Sequence, residues 1–367
     1  MTRTLLEHFV NLDSSLVRAA EVSQLRYTSD KVPGIRRSGS STKRFVYYDA
    51  RGRRIRSRII LRRIQSLAVP PAWTQVWISP FPDSHLQAVG RDARGRKQFR
   101  YHARWREMRE QTKYDRLTTV GAVLPRLRAR VAEDLSLRGL PREKVMATIV
   151  RLLETTFIRI GNDEYARQNQ SFGLTTLRNK HVNIRGSSIR FRFRGKSGIA
   201  RETILSDRRL AQIVRCCQEL PGQELFQYLD ERNRCRAISS GDVNDYLRDA
   251  TGVDLTAKDF RTWAGTVLAA VELGALEAAP AASTKGNIVK AVEQVSKRLG
   301  NTRAVCRKSY IHPAIIDSYL DGTLRRAMPR QEPRGAVDAH ALTAEEAAVM
   351  KILRRVGAAG LSGKKAA

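Results

Sequence analysis

The chain has 367 residues, 67 of them Lys or Arg against 36 Asp or Glu, for a formal net charge of +31 and a pI near 10.9. Its length fits two or three domains, and a hydrophobic content of 42% is enough to build real cores. So positive a chain repels itself unless a polyanion is present, which makes nucleic acid the default partner. A membrane surface is the weaker candidate, because no apolar run of about 18 residues and no basic-then-apolar leader is found. The cysteines (Cys216, Cys217, Cys235, Cys306) show neither metal spacing nor a disulfide framework and read as reduced thiols of a cytoplasmic protein. The few scattered histidines give a zinc site no support.

The first 24 residues read as an ordinary amphipathic helix. Residues 34–44 combine glycine, serine and basic side chains, and fit either a mobile basic loop against phosphate or a solvated linker. Phe45 to Asp49 reads as a strand, residues 58–67 as a helix stopped by Pro70-Pro-Ala-Trp73, and Val76 to Pro80 as another strand. A basic hairpin follows, with strands His85–Val89 and Arg96–Tyr101 about an Asp92-Ala-Arg-Gly95 turn. Alternation puts Phe99 and Tyr101 on one face and Gln98 and Arg100 on the other. Such a hairpin can enter a DNA groove, where Gln98 bonds a base edge and the aromatics touch sugar or a thymine methyl; equally, the two rings could be sheet core.

From His102 the pattern turns helical. A charged connector (Arg104 to Arg116) leads into Val120–Leu137, and Pro141 starts a helix expected to run to about Gln168. Within or at a bend of it lies Arg159, set among apolar neighbours in Phe157-Ile-Arg-Ile-Gly161. An arginine so placed needs a partner: Glu154 or Asp163 in a structural bridge, or a phosphate. Residues 173–205 switch to period two. Three short strands are expected, with Gly195-Lys-Ser-Gly198 as the tight turn between the last two. Lys196 at that tip is either a solvated charge or, at a phosphate site, a general acid. Helices are expected near 207–219, 240–250 and 258–275. The stretch from 331 reads as a mobile tail with one short amphipathic helix (Ala344 to Val356) and a basic end.

Residues 258–310 hold the chemistry. Arg261 opens a helix with a buried apolar face. Asn301 follows Gly300, where the preceding helix would stop. Tyr310 then sits among Arg303, Arg307 and Lys308. A tyrosine has a pKa of about 10 and is a poor nucleophile at neutral pH; fixed positive charge favours its phenolate and holds a phosphate beside it. The expected reaction is attack of Tyr310 on a DNA phosphodiester. No acidic cluster with magnesium-site spacing is seen, which agrees with metal-independent chemistry.

These motifs, in this order, resemble the type IB DNA topoisomerases of the short bacterial and poxvirus-like branch. The carriers are Pro70-Pro-Ala-Trp-Thr-Gln-Val-Trp77, Gly95-Arg-Lys-Gln-Phe-Arg-Tyr101, Phe157-Ile-Arg-Ile-Gly161, Gly173-Leu-Thr-Thr-Leu-Arg-Asn-Lys-His181, Phe193-Arg-Gly-Lys196, Lys258-Asp-Phe-Arg-Thr-Trp263 and Asn301 to Tyr310. The resemblance covers roughly residues 25–325. It implies an α+β chain: a small β-rich N-terminal DNA-binding domain (1–107), a larger, mainly α-helical catalytic domain with a three-stranded sheet (108–330), and the tail (331–367). The two domains would close as a clamp around duplex DNA. It further implies a monomer at the bacterial nucleoid, with no small-molecule cofactor, no metal and no ATP.

Tyr310 matches the nucleophile that forms a 3′-phosphotyrosyl link. Arg159 and Arg261 match the arginines on the nonbridging oxygens. Lys196 matches the lysine proposed to protonate the leaving 5′-oxygen. Asn301 stands where the poxvirus pattern has histidine, and it keeps a hydrogen-bond donor without charge. Gln98, Phe99 and Tyr101 match a DNA-contacting strand, with Phe99 in place of a tyrosine, and Lys258 is a further expected DNA contact. A tyrosine recombinase would put histidine at position 258 and a helical domain at the N-terminus. A nonenzymatic DNA-binding protein would explain the charge but not the ordered set.

Overall fold

The structure is a computed structural model. It describes residues 23–39, 45–276, 281–329 and 338–363, together with Val17, Ala20 and Glu21. The helix expected over the first 24 residues therefore lies almost wholly outside the described residues. Contacts divide the chain into two compact units, residues 1–113 and 114–367.

The first unit is built on a five-stranded antiparallel sheet in the order β2-β1-β3-β4-β5, where β1 is Ile35–Ser38, β2 Val46–Tyr48, β3 Thr74–Ile78, β4 Leu86–Arg91 and β5 Lys97–Tyr101. Helix α1 (Arg58–Ser66) drops Ile64 into a small core with Ile35, Val76, Ile78 and Ala88. Strand β1 corrects the loop expected over 34–44, whose residues 40–44 lie outside the described ones. Its sequence is too polar to read as a strand, because only Ile35 faces the core. It is a strand because both its edges are hydrogen-bonded, to β2 and to β3. Arg37 is structural as well. It lies over the Phe45 ring at 4.1 Å and donates to the carbonyls of Pro70, Pro71 and Trp73.

The units divide inside one long helix, α2 (Ala103–Ser136), which also contains the boundary expected near residue 107. The charged stretch expected as a connector is the first turns of that helix. Helix α3 (Arg142–Thr156) follows and ends earlier than expected. Phe157 turns into the left-handed region at φ 55°, the chain leaves the helix, and α4 (Asp163–Asn169) restarts under an Asn162 cap. The second sheet is as read from period two: β6 (Val182–Arg185), β7 (Ser188–Arg194) and β8 (Ala200–Ser206), antiparallel in that order. Ile189, Phe191 and Phe193 of β7 face the core, and Arg190, Arg192 and Arg194 face out.

Helix α5 (Arg208–Glu219) and a two-stranded ribbon, β9 (Gln227–Leu229) with β10 (Cys235–Ala237), lead to the helical body. That body comprises α6 (Ser240–Thr251), α7 (Ala257–Gly274), α8 (Ala281–Leu299), α9 (Arg303–Ser309), α10 (Pro313–Leu320) and α11 (Thr323–Ala327).

The last helix, α12 (Ala344–Gly363), corrects the expected mobile tail. Val349, Met350, Ile352 and Leu353 are buried in the main core of the second unit. Glu346 is buried too. It pairs with Arg128 at 2.8 Å and accepts the Trp263 indole N–H at 3.1 Å. Arg128 also binds Glu154, which in turn takes Arg151.

Candidate active site

Helix α7 carries Arg261 into the interior, 4% exposed. A capping box at Thr256 and Asp259 fixes its first turn. Both Nη atoms of Arg261 are committed to backbone: Nη1 donates to Phe157 O, and Nη2 to Leu299 O at 2.6 Å. Phe157 offers its carbonyl because it has left the helix, and Leu299 because α8 ends there. Gly300, at φ 60°, closes α8 in a Schellman turn, its N–H bonding Lys297 O and the Asn301 N–H bonding Ser296 O.

Asn301, held by that turn, accepts an N–H from Arg159 Nη2 through Oδ1. Among the described residues neither carboxylate weighed for Arg159, Glu154 or Asp163, forms an ion pair with it. Glu154 is taken by Arg128 and Arg151, and the Arg159 guanidinium turns instead toward Asn301. The segment bearing it is clamped by the turn at Gly173: Leu174 N bonds Arg159 O at 2.8 Å and Thr175 N bonds Ile160 O at 2.7 Å. A β-carbon at Gly173 would stand 2.5 Å from Arg159 O, so only glycine fits there.

Tyr310 ends α9. The Arg261 guanidinium lies over its ring at 5.2 Å. Burial pushes the phenol up, but Arg261, then Arg159 and Lys196, more than reverse this and hold it below its ordinary value. Thr266 Oγ1 bonds both Tyr310 O and His312 N. Tyr114 donates to Lys308 O at 2.8 Å and sets its ring edge-on to His312 at 4.9 Å. Gly265, one turn beyond Arg261, lets α7 touch the Tyr310 backbone. Residues far apart in sequence thus line one cavity of about 410 Å³: Arg159, Lys196, Lys258, Arg261 and Tyr310, with Gly161 and Tyr165 among its walls. The Asn301 side-chain nitrogen is buried beside the weak acceptor Cys306 and meets no stronger acceptor among the described residues.

An oxygen ligand entering this cavity meets two guanidiniums, two ammonium groups and a phenol held below its ordinary pKa, a set that can bind a phosphate beside a potential nucleophile. Residues 102–330 match the family described as eukaryotic DNA topoisomerase I, catalytic core, and residues 44–92 match the bacterial DNA topoisomerase IB N-terminal domain.

The chain belongs to the type IB DNA topoisomerase family.

Among its relatives, the DNA topoisomerase 1B of Acanthamoeba polyphaga mimivirus is 31% identical over 294 residues, 78% of this chain and 87% of the relative. The DNA topoisomerase 1B of vaccinia virus (strain Copenhagen) is 24% identical over 244 residues, 65% of this chain and 74% of the relative. The chain is thus similar to the short viral type IB topoisomerases over most of their length.

In the first unit, Phe99 and Tyr101 are 44% and 38% exposed on the edge strand β5, which removes the core reading of these rings. They stack with centroids 6.0 Å apart. Gln98, on the opposite face, donates to Asp92 at 3.0 Å.

Sequence reasoning gave no role to several supporting residues: Gly265 and Thr266 behind Tyr310, Gly173 behind Arg159, Tyr114 and Arg201. Only Gly265 left a local signal. A glycine inside a helix costs about 1 kcal/mol relative to alanine and calls for a packing reason.

Proposed function

We propose that this type IB topoisomerase nicks one strand of duplex DNA through Tyr310 and reseals it, relaxing supercoils of either sign without ATP or metal. The convergence of Arg159, Lys196, Arg261 and Tyr310 on one cavity carries the reading. The Tyr310 oxygen, favoured as phenolate by Arg261, attacks the phosphorus. The bond to the 5′-oxygen breaks, leaving a 3′-phosphotyrosyl link. Arg159, Arg261 and the Asn301 amide N–H hold the nonbridging oxygens as negative charge grows on them. One such fixed donor is worth about 10²–10³ in rate. Two of the five Arg261 N–H groups go to carbonyls, and the guanidinium also hydrogen-bonds the Tyr310 side chain, which ties the phosphate grip to the phenol. Lys196 gives its proton to the departing 5′-oxygen, which an arginine effectively cannot do.

The covalent link keeps the energy of the broken bond, so the 5′-hydroxyl can return without a nucleotide cofactor. While the strand is open, the downstream duplex turns about its partner. Phe99 and Tyr101 on their exposed face, Gln98 at the strand margin and Lys258 at the cavity mouth are the proposed DNA contacts. The two units, as a monomer, close around the duplex, and a bacterial nucleoid is the expected setting.

The test is relaxation of negatively and positively supercoiled plasmid in EDTA without ATP, with wild type and Tyr310→Phe side by side. Wild type relaxes both substrates, and the variant binds DNA but relaxes neither. Relaxation by the pure variant would remove Tyr310 as nucleophile. An inert wild type would overturn the reading.

A further inference from the structure

Arg261 is one of two arginines at the junction of α3 and α8. The other is Arg201, near the start of β8. Its Nη2 donates to Arg298 O at 3.1 Å and to Thr156 O at 3.4 Å. Arg261 takes Phe157 O and Leu299 O. The two guanidiniums therefore bond consecutive carbonyls on the same two helix ends, 156 and 157 on one side and 298 and 299 on the other.

Those carbonyls are the negative ends of two helices, which would otherwise point at a site built for phosphate; a cation there is favoured. The neighbouring strand carboxylate, Glu202, pairs with Arg190 instead. Arg201 is mostly buried, and its Nε has no hydrogen-bond partner. Burial, then the charges of Arg261 and Arg159, push it down to about 10. A cation is being held where charge alone disfavours it.

The positions on either side are informative. Thr156 lies three residues before Arg159, and Arg298 three before Asn301. Strand β8 itself leads back to Lys196 across the hairpin turn. One side chain thus bonds the roots of the segments bearing Arg159 and Asn301 from the strand that bears the lysine. A β-carbon on Gly300 would overlap Arg201 Nη1, so the glycine that ends α8 also makes room for this guanidinium.

We infer that Arg201 is a positioning residue, whose paired bonds to the ends of α3 and α8 set Arg159 and Asn301 in register for a joint grip on the scissile phosphate. The inference rests on the phosphoryl-transfer reading above.

The experiment is single-turnover cleavage of supercoiled plasmid under excess enzyme, quenched in detergent to trap the covalent adduct. Wild type, Arg201→Met, Arg201→Lys, Asn301→Ala and the Arg201→Met/Asn301→Ala double variant are compared. A misplacement of about 1 Å costs on the order of 10² in rate, so Arg201→Met should cleave about 10²-fold slower. Plasmid affinity and Tm should stay near wild type. Arg201→Lys should recover only part of the rate, since an ammonium cannot bridge both carbonyls in one plane. On the Asn301→Ala background, Arg201→Met should cost less than about 3-fold, because a register already without its reader has little left to lose. Should Arg201→Met fold poorly, Arg201→Gln keeps a polar stem too short to bridge both carbonyls, and should give the same non-additive loss with Asn301→Ala.

Full multiplication of the two losses, or wild-type cleavage by Arg201→Met, would overturn the assignment. If wild type itself forms no adduct, the functional reading fails first. If wild type forms it and the losses multiply, this inference alone fails.

Discussion

Alanine at Gly265 tests whether Tyr310, the proposed nucleophile, is held by backbone packing. Its β-carbon would stand 2.6 Å from Tyr310 O, 2.9 Å from Tyr310 Cβ and 3.2 Å from Leu299 Cδ1. The first of these is backbone and cannot swing aside. An ordinary carbon–oxygen contact is about 3.3 Å, so α7 and the Tyr310 turn must part by about 0.7 Å. Overpacking of this kind costs about 1–3 kcal/mol, while alanine returns about 1 kcal/mol of helix propensity, leaving a net loss of roughly 0–2 kcal/mol. The effect on chemistry is larger, because a shift of about 1 Å in a reacting group can cost 10²-fold. Gly265→Ala should therefore lower single-turnover cleavage about 10–100-fold, with Tm only modestly reduced. Gly274→Ala is the control on the same helix. Its β-carbon meets the flexible Met328 side chain at 2.9 Å, which can move, so cleavage should stay at wild type. Wild-type cleavage by Gly265→Ala, or equal slowing in both variants, would refute the reasoning.

Three further outcomes are expected. Lys196→Ala should slow cleavage at a normal 5′-oxygen far more than at a 5′-thiolate leaving group, which needs no proton; equal slowing on both substrates removes Lys196 as the acid. Phe99→Ala with Tyr101→Ala should weaken duplex binding about 10-fold without moving Tm, since the two partly exposed rings together would lose about 1.4 kcal/mol of apolar contact with sugar or a thymine methyl and neither is needed by the core; a fall in Tm with unchanged binding would return the rings to a structural role. Glu346→Gln should destabilise the second unit by about 3 kcal/mol at neutral pH, because it breaks a buried ion pair. Burial works to raise the Glu346 pKa, but Arg128, the Thr343 N–H and Trp263 overcome it and the folded value lies below the ordinary one. The stabilisation is therefore complete above the unfolded value of about 4.3 and is lost as pH falls through the folded one, so the Tm curves of variant and wild type should converge in acid and separate above about pH 5. Parallel curves across that range would contradict the ion-pair account.

Local pattern carried some of this structure and not the rest. The second sheet was legible because β7 alternates Ile189, Phe191 and Phe193 against three arginines, and because Gly195 and Gly198 mark a turn. The end of α8 was legible because Gly300 is where a left-handed residue must sit. Strand β1 was not, since its stability lies in hydrogen bonds to two neighbours and not in its own side chains. Neither was α12: an amphipathic helix after a Pro- and Gly-rich stretch looks the same whether its apolar face meets a core or water. What decides is Glu346, whose partners Arg128 and Trp263 are more than 80 residues away. The end of α3 at Phe157 was hidden for a related reason. A phenylalanine at φ 55° is locally unfavourable, and it is held by the bond its carbonyl makes to Arg261.

That bond bears on how the site works. Burial and then the charges of Arg261 and Arg159 push the Arg201 pKa down, burial and then Arg159 push that of Arg261 down, and among the described residues no carboxylate forms an ion pair with any of the three. The cost of assembling them is met by helix-end carbonyls, which are neutral overall and cannot compete with a phosphate for net charge. A carboxylate in their place would have stabilised the free enzyme more and the pentacoordinate transition state less. Arg261 and Arg159, with Lys196, also lower the Tyr310 phenol. In the proposed reaction a seated phosphate would draw on the same guanidiniums and lift the phenol again, so activation and binding would oppose each other at Arg261. Placing Asn301 rather than a charged group beside Arg159 leaves that balance to the arginines alone, with the amide adding direction and no charge.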